Sequence, residues 1–149
     1  MAGVTAIAEK GVVHRDLKPA NILLHFPDLT EAEKSSPDFT LANYIKGISL
    51  IAGEDGTPAA NVVVKIADCG LSKQLQVGQV TQTCVGSPNY MAPEILERKQ
   101  HSHSADVWSL GCVFYLLLTG FVPFYGYSVH NLSRNIRKGT YFFPKTCKL

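Results

Sequence analysis

Residues 14–21 read His-Arg-Asp-Leu-Lys-Pro-Ala-Asn. A carboxylate (Asp16) is followed two residues on by an ammonium (Lys18) and five residues on by a carboxamide (Asn21). These side-chain types suit orienting and deprotonating a hydroxyl, offsetting anionic charge and coordinating a hard cation. A second carboxylate, Asp68, ends an apolar run in Lys65-Ile66-Ala67-Asp68-Cys69-Gly70-Leu71. Two further strings follow: Gly86-Ser87-Pro88-Asn89-Tyr90-Met91-Ala92-Pro93-Glu94, and Asp106-Val107-Trp108-Ser109-Leu110-Gly111. Taken singly, each has a plain explanation: a chance triplet, a turn, a helix start, a capping residue.

In this order, the four strings resemble the protein kinase family, of the serine/threonine type. Residues 14–21 match its catalytic loop, H-R-D-L-x-x-x-N. The resemblance implies that Asp16 accepts the proton of the attacking hydroxyl. It implies that Lys18 lies near the transferred phosphoryl group, and a lysine there resembles serine/threonine rather than tyrosine kinases. It makes Asn21 and Asp68 magnesium ligands, and ATP with Mg2+ the expected cofactors. Asp68-Cys69-Gly70 resembles the D-F-G motif with cysteine for phenylalanine, a change that costs roughly 3–5 kcal/mol if the phenylalanine's slot is left empty. Leu23 matches the floor of the adenine pocket, supported by Val113 and Leu117. Ser87 resembles the residue that contacts the catalytic aspartate and helps select hydroxyl substrates. Asp106 resembles the aspartate that accepts hydrogen bonds from the backbone of the catalytic loop. Thr83, four residues before Ser87, is the expected activating phosphorylation site, with Arg15 and Lys73 as its cationic pocket and Thr81 as the alternative. The strings GSPNYMAPE and IRKGTYFFP are most similar to the NIMA-related and calcium/calmodulin-dependent kinase branches.

The elements that would position these residues can be read along the chain. Residues 4–10 look like the end of a helix closed by Gly11. Residues 21–25 (NILLH) and 62–67 read as short strands, the second β-branched and buried. Residues 26–60 form a long polar insertion loop, with a short element around Tyr44–Ile51. Residues 71–91 show no period and read as extended loop. Pro93 opens a short helix over 93–98. Residues 106–119 carry apolar side chains on every side, which predicts a helix buried all round. Residues 128–138 predict a helix with Val129, Leu132 and Ile136 on its apolar side, stopped by Gly139.

The chain has 149 residues, with 46% hydrophobic and 17% charged, and a formal charge of +2. That fits a globular domain and excludes a disordered one. The near balance of charge gives no reason to expect nucleic acid or a membrane surface as partner. The four cysteines, 69, 84, 112 and 147, form no C-x-x-C pair, and reduced thiols in an intracellular, cytoplasmic protein are the expectation. His101 and His103 form an H-x-H pair, read as a solvated loop rather than a metal site.

Together these readings predict an α+β protein with a protein kinase-like fold: a mostly helical C-lobe with a small antiparallel hairpin from 21–25 and 62–67, the N-lobe absent. Residues 1–149 are read as a partial catalytic domain with 26–60 inserted in it. No Gly-rich phosphate loop or V-A-I-K lysine occurs in the sequence, and the arginine that pairs with the A-P-E glutamate in the family has no counterpart for Glu94. The expected function is transfer of the ATP γ-phosphate to Ser or Thr hydroxyls of protein substrates, with an upstream activating kinase as a further partner. The alternative is a catalytically silent kinase-like binding or scaffold module, favoured by Cys69 and opposed by intact Asp16, Asn21 and Asp68. The 149 residues alone are expected to be inactive.

Overall fold

A computed structural model describes residues 2–27, 29–37, 62–76 and 79–144. The chain divides into two compact units: Met1–Ile22 with Ile66–Leu149, and Leu23–Lys65.

The larger unit is mainly helical. Helix α1, Ala2–Glu9, ends where Gly11 takes φ +69°. A Cβ at Gly11 would overlap the Leu75 carbonyl oxygen, so the turn needs glycine for space as well as for its backbone. Strand β1, Val12–Val13, pairs antiparallel with β4, Lys73–Gln74, with Val12 opposite Gln74 and Val13 opposite Lys73. Helix α3 covers Pro93–Leu96, with Pro93 in its first turn, where no intrahelical N–H bond is lost. Helix α4 spans Ser104–Thr119 and stops at Gly120 in the left-handed region. Helix α5, Val129–Lys138, is opened by Ser128, whose hydroxyl accepts the Asn131 N–H at 3.2 Å, and is closed by Gly139.

Among the described residues, three small apolar clusters hold this unit. Met91, Ala92 and Ile95 meet Ala105 of α4. Cys112 and Phe124 meet Leu132 and Ile136 of α5, and Trp108 stacks on Phe124 with ring centroids 5.5 Å apart. Val4 and Leu17 meet Leu110, with Ile66 against them. Thus α4 reaches every cluster and forms the spine on which the loops hang.

The second unit contains most of β2, Ile22–His25, which pairs with β3, Val63–Ile66, and helix α2, Glu31–Lys34. Thr30 and Glu33 form a capping box at the start of α2: Thr30 Oγ1 accepts the Glu33 N–H at 3.3 Å and Glu33 Oε2 accepts the Thr30 N–H at 2.7 Å. The element expected around residues 44–51 lies outside the described residues.

Several expectations are corrected. Helix α4 is buried on one side only: Ala105, Asp106, Ser109, Leu110, Cys112 and Val113 face inward, whereas Leu117 is 70% exposed and Val107, Phe114 and Leu118 are also exposed. A helix apolar on every side is buried all round only if elements pack on each side of it. Strand β3 is likewise exposed along Val63 and Val64. Val129 is exposed, so α5 buries only Leu132 and Ile136. Residues 71–91 are not featureless: a 3-10 turn at Cys69–Leu71 leads into them, they hold β4 and a 3-10 turn at Pro88–Tyr90, and Thr81 forms a backbone bridge with His101. His101 is buried rather than solvated, and its Nδ1 lies 3.0 Å from Lys99 O. Among the described residues no group of three His, Cys, Asp or Glu side chains could hold a metal ion, and Cys69, Cys84 and Cys112 are free thiols.

Candidate active site

The loop carrying Asp16 is suspended from α4. Asp106, 1% exposed, accepts the His14 N–H through Oδ2 and the Arg15 N–H through Oδ1, both at 2.8 Å. His14 makes the next link. Its Nε2 lies 3.0 Å from Ala67 O, which can only accept, so Nε2 carries the hydrogen, while Nδ1 accepts the Asp16 N–H at 3.4 Å. Arg15 takes φ +69°, and its Nε donates to Leu71 O at 2.6 Å. The loop therefore ties together α4, the start of the 68–74 segment and the Asp16 backbone.

Four groups converge on the Asp16 carboxylate. Ser87 donates to Oδ1 from its backbone N–H (2.8 Å) and its hydroxyl (2.9 Å). Lys18 Nζ donates to Oδ2 at 2.7 Å, and the Asn21 amide donates to Oδ2 at 3.3 Å and to the Asp16 carbonyl at 2.9 Å. Lys18 Nζ also donates to Ser87 Oγ at 3.0 Å. Burial works to raise the pKa of Asp16; the hydrogen bonds from Lys18 and Ser87, with the charge of Lys18, outweigh it and hold the carboxyl below its ordinary value. Asp16 is thus ionised at neutral pH and fixed in orientation.

Gly86 makes the approach of Ser87 feasible. It takes φ +113°, and a Cβ there would overlap the Arg15 carbonyl oxygen. The segment after Ser87 turns through Pro88–Tyr90, and the Tyr90 carbonyl accepts the buried Ser109 hydroxyl at 2.7 Å.

Asp68 sits one residue beyond Ala67, whose N–H donates to Asn21 O at 2.9 Å. It takes φ +61°, ψ +71°, a backbone aspartate tolerates better than most residues, and its Oδ1 accepts the Gly70 N–H at 3.2 Å. The carboxylate is exposed, and Oδ2 bears no hydrogen bond among the described residues. Asn21 commits its amide nitrogen to Asp16, and its Oδ1 takes no hydrogen bond from the described residues. Such a carboxylate oxygen and amide oxygen on adjoining backbones are the hard donors that suit Mg2+.

Cys69 is exposed, so the cysteine does not fill the slot expected for phenylalanine. Cys112 is the one buried free thiol among the described residues, and burial pushes it up to about 11, which leaves it an inert core side chain. Of the regulatory set, Lys73 Nζ donates to Thr81 Oγ1 at 3.1 Å, and Thr81 Oγ1 is 3.2 Å from Thr83 Oγ1. Thr81 is 3% exposed and Thr83 is exposed, so of the two hydroxyls Thr83 is the accessible one. Arg15 is engaged with Leu71 rather than with either threonine. Leu23 belongs to the second unit and is exposed there.

His14, Gly86 and Ser109 received no role from the sequence. His14 lies inside the recognised string, and Gly86 precedes Ser87, so position alone marked them; nothing in the sequence marks Ser109 as bonded to Tyr90.

The sequence matches the protein kinase domain family over residues 1–147. It is 36% identical over 145 residues to a probable myosin light chain kinase of Dictyostelium discoideum, covering 97% of this chain and 29% of that protein. It is 39% identical over 140 residues to Serine/threonine-protein kinase RCK2 of Saccharomyces cerevisiae, covering 91% and 22% respectively. It is 36% identical over 143 residues to Calcium/calmodulin-dependent protein kinase type 1 of Caenorhabditis briggsae, covering 96% and 31%. The chain belongs to the protein kinase domain family, and these relatives are of the serine/threonine kind and include the calcium/calmodulin-dependent branch. It spans between 22% and 31% of the length of these three relatives.

Proposed function

We propose that residues 1–149 are a partial catalytic domain of a serine/threonine protein kinase, with 26–60 as an insertion, and that they supply the phosphoryl-transfer half of its site. The observation that carries this is the Asp16 carboxylate, ionised and held by Ser87, Lys18 and Asn21.

Asp16 orients a substrate Ser or Thr hydroxyl and accepts its proton as the oxygen attacks the γ-phosphorus and the bond to the bridging β–γ oxygen breaks, releasing ADP. The carboxylate's lone pairs are already occupied, and the 3.3 Å contact from Asn21 is the longest of the four, so it yields first to the incoming hydroxyl. Lys18, between Asp16 and Ser87, offsets charge on the transferring group. Asn21 and Asp68 are the residues that would hold magnesium, which would supply positive charge to offset that of the phosphates. Ser87 fixes the aspartate and lies where a hydroxyl-bearing peptide arrives. Phosphate on Thr83 would meet Lys73 one hydroxyl away and gain charge-assisted bonds that order the segment. Substrates are proteins, as the family implies. Free thiols at 69, 84 and 112 support a reducing, intracellular setting, and no helix among the described residues is long and apolar enough to cross a membrane.

The test is phosphate transfer to matched peptides presenting Ser, Thr or Tyr, by the chain fused at its N-terminus to a kinase N-lobe. Magnesium-dependent labelling of Ser and Thr peptides is expected. Labelling confined to Tyr peptides, or none with a fully folded fusion, would overturn the assignment.

A further inference from the structure

Helix α4 presents two buried polar side chains three residues apart, hence on one side of the helix. Asp106 holds the His14 and Arg15 amides. Ser109, 4% exposed, places Oγ 2.7 Å from Tyr90 O and 3.0 Å from Ala105 O. A hydroxyl has one hydrogen. Ala105 O is the i−4 carbonyl, already the acceptor of the helix's own bond. Among the described residues no other group donates to Tyr90 O. The shorter bond therefore satisfies a carbonyl that would otherwise be stranded next to Tyr90's partly buried ring.

Tyr90 ends the turn that begins beside Ser87. Its N–H donates to Ser87 O at 3.0 Å, the Met91 N–H donates to Pro88 O at 3.3 Å, and Ser87 in turn holds Asp16 Oδ1. One turn of α4 thus grips both sides of the site: the Asp16 loop through Asp106 and the 87–91 segment through Ser109. We propose that Ser109 is a positioning residue, which with Asp106 sets the spacing between the Asp16 loop and the segment that receives the substrate peptide. The proposal rests on the kinase reading for the role of that segment, but its test needs no turnover, so it can fail while the kinase reading stands.

The experiment is hydrogen exchange of the full 149-residue chain, read by mass spectrometry on peptides covering residues 86–92 and 12–17. In Ser109→Ala, exchange at the Ser87, Tyr90 and Met91 amides is expected to rise roughly tenfold, the factor that loss of one buried hydrogen bond produces. Exchange at His14 and Arg15, held by Asp106, is expected to stay within about twofold. Ser109→Thr, which keeps the hydroxyl, restores protection. Should Ser109→Ala not fold, Ser109→Cys keeps the volume with only a weak donor and carries the same expectation. Equal loosening of both peptides would show a merely structural role and overturn the proposal, as would unchanged exchange over 86–92.

Discussion

Asp106→Asn tests the suspension of the loop that carries Asp16. The wild-type carboxylate takes two backbone N–H groups at 2.8 Å, one on each oxygen, at a site 1% exposed. The asparagine keeps one acceptor oxygen and turns its NH2 toward the other N–H, so a donor faces a donor. Loss of one hydrogen bond to a charged group costs about 1.5–3 kcal/mol, and stranding a buried donor costs about 1–3 kcal/mol more. Removing a buried charge returns part of this through relief of desolvation. The net is about 3 kcal/mol, and for a chain of this size that lowers the melting temperature by about 6–12 °C. Thermal and urea unfolding followed by circular dichroism measure it, with Asp106→Ala, which loses both acceptors, expected to cost more. A loss under about 1 kcal/mol in Asp106→Asn would refute the idea that these two bonds hold the loop.

Gly86→Ala should destabilise by at least about 2 kcal/mol, because φ +113° is strained for alanine and the new Cβ overlaps the Arg15 carbonyl; chemical denaturation within 0.5 kcal/mol of wild type would contradict the close approach. The pKa of Asp16 is lowered on folding, so its ionised form contributes stability that is present above the unfolded carboxylate value, about pH 4, and is lost as pH falls through the lower folded value. Urea melts of wild type and Asp16→Asn should therefore differ by a constant amount from about pH 5 to 8 and converge below about pH 4; a gap that widens on acidification would reverse the sign. The sequence contains no Gly-rich loop, so calorimetry on the 149 residues alone should find Mg-ATP binding weaker than micromolar, and no transfer. Micromolar binding with Asp16-dependent transfer would show that one side suffices to hold the triphosphate.

The parts of the site legible in the sequence were those whose chemistry is local. Asp16, Lys18 and Asn21 lie within six residues, and the loop that presents them needs their spacing, so type and order announce it. Asp106 and Ser87 could be named because they stand in recognisable strings, although their partners lie 92 and 71 residues away. What stayed hidden depends on packing between distant segments. Nothing local distinguishes Ser109, bonded to Tyr90, from any helical serine. Strands β1 and β4 are two residues each, too short for alternation to show. His101 looked like a loop histidine, and its burial follows from a backbone bridge to Thr81 twenty positions earlier. The exposed sides of α4 and β3 are not legible in their residues, because an apolar residue type states a preference for burial and cannot state whether a neighbour covers it.

The most direct measurement of the central claim is single-turnover γ-phosphate transfer to a Ser peptide by the chain fused to an N-lobe, wild type against Asp16→Asn. A positioned general base contributes about 10²–10⁴-fold. The expected result is a loss of at least about 10²-fold in transfer rate, with Mg-ATP affinity within about threefold of wild type. An Asp16→Asn protein that transfers phosphate at close to the wild-type rate would contradict the assignment of Asp16 as the residue on which this site is built.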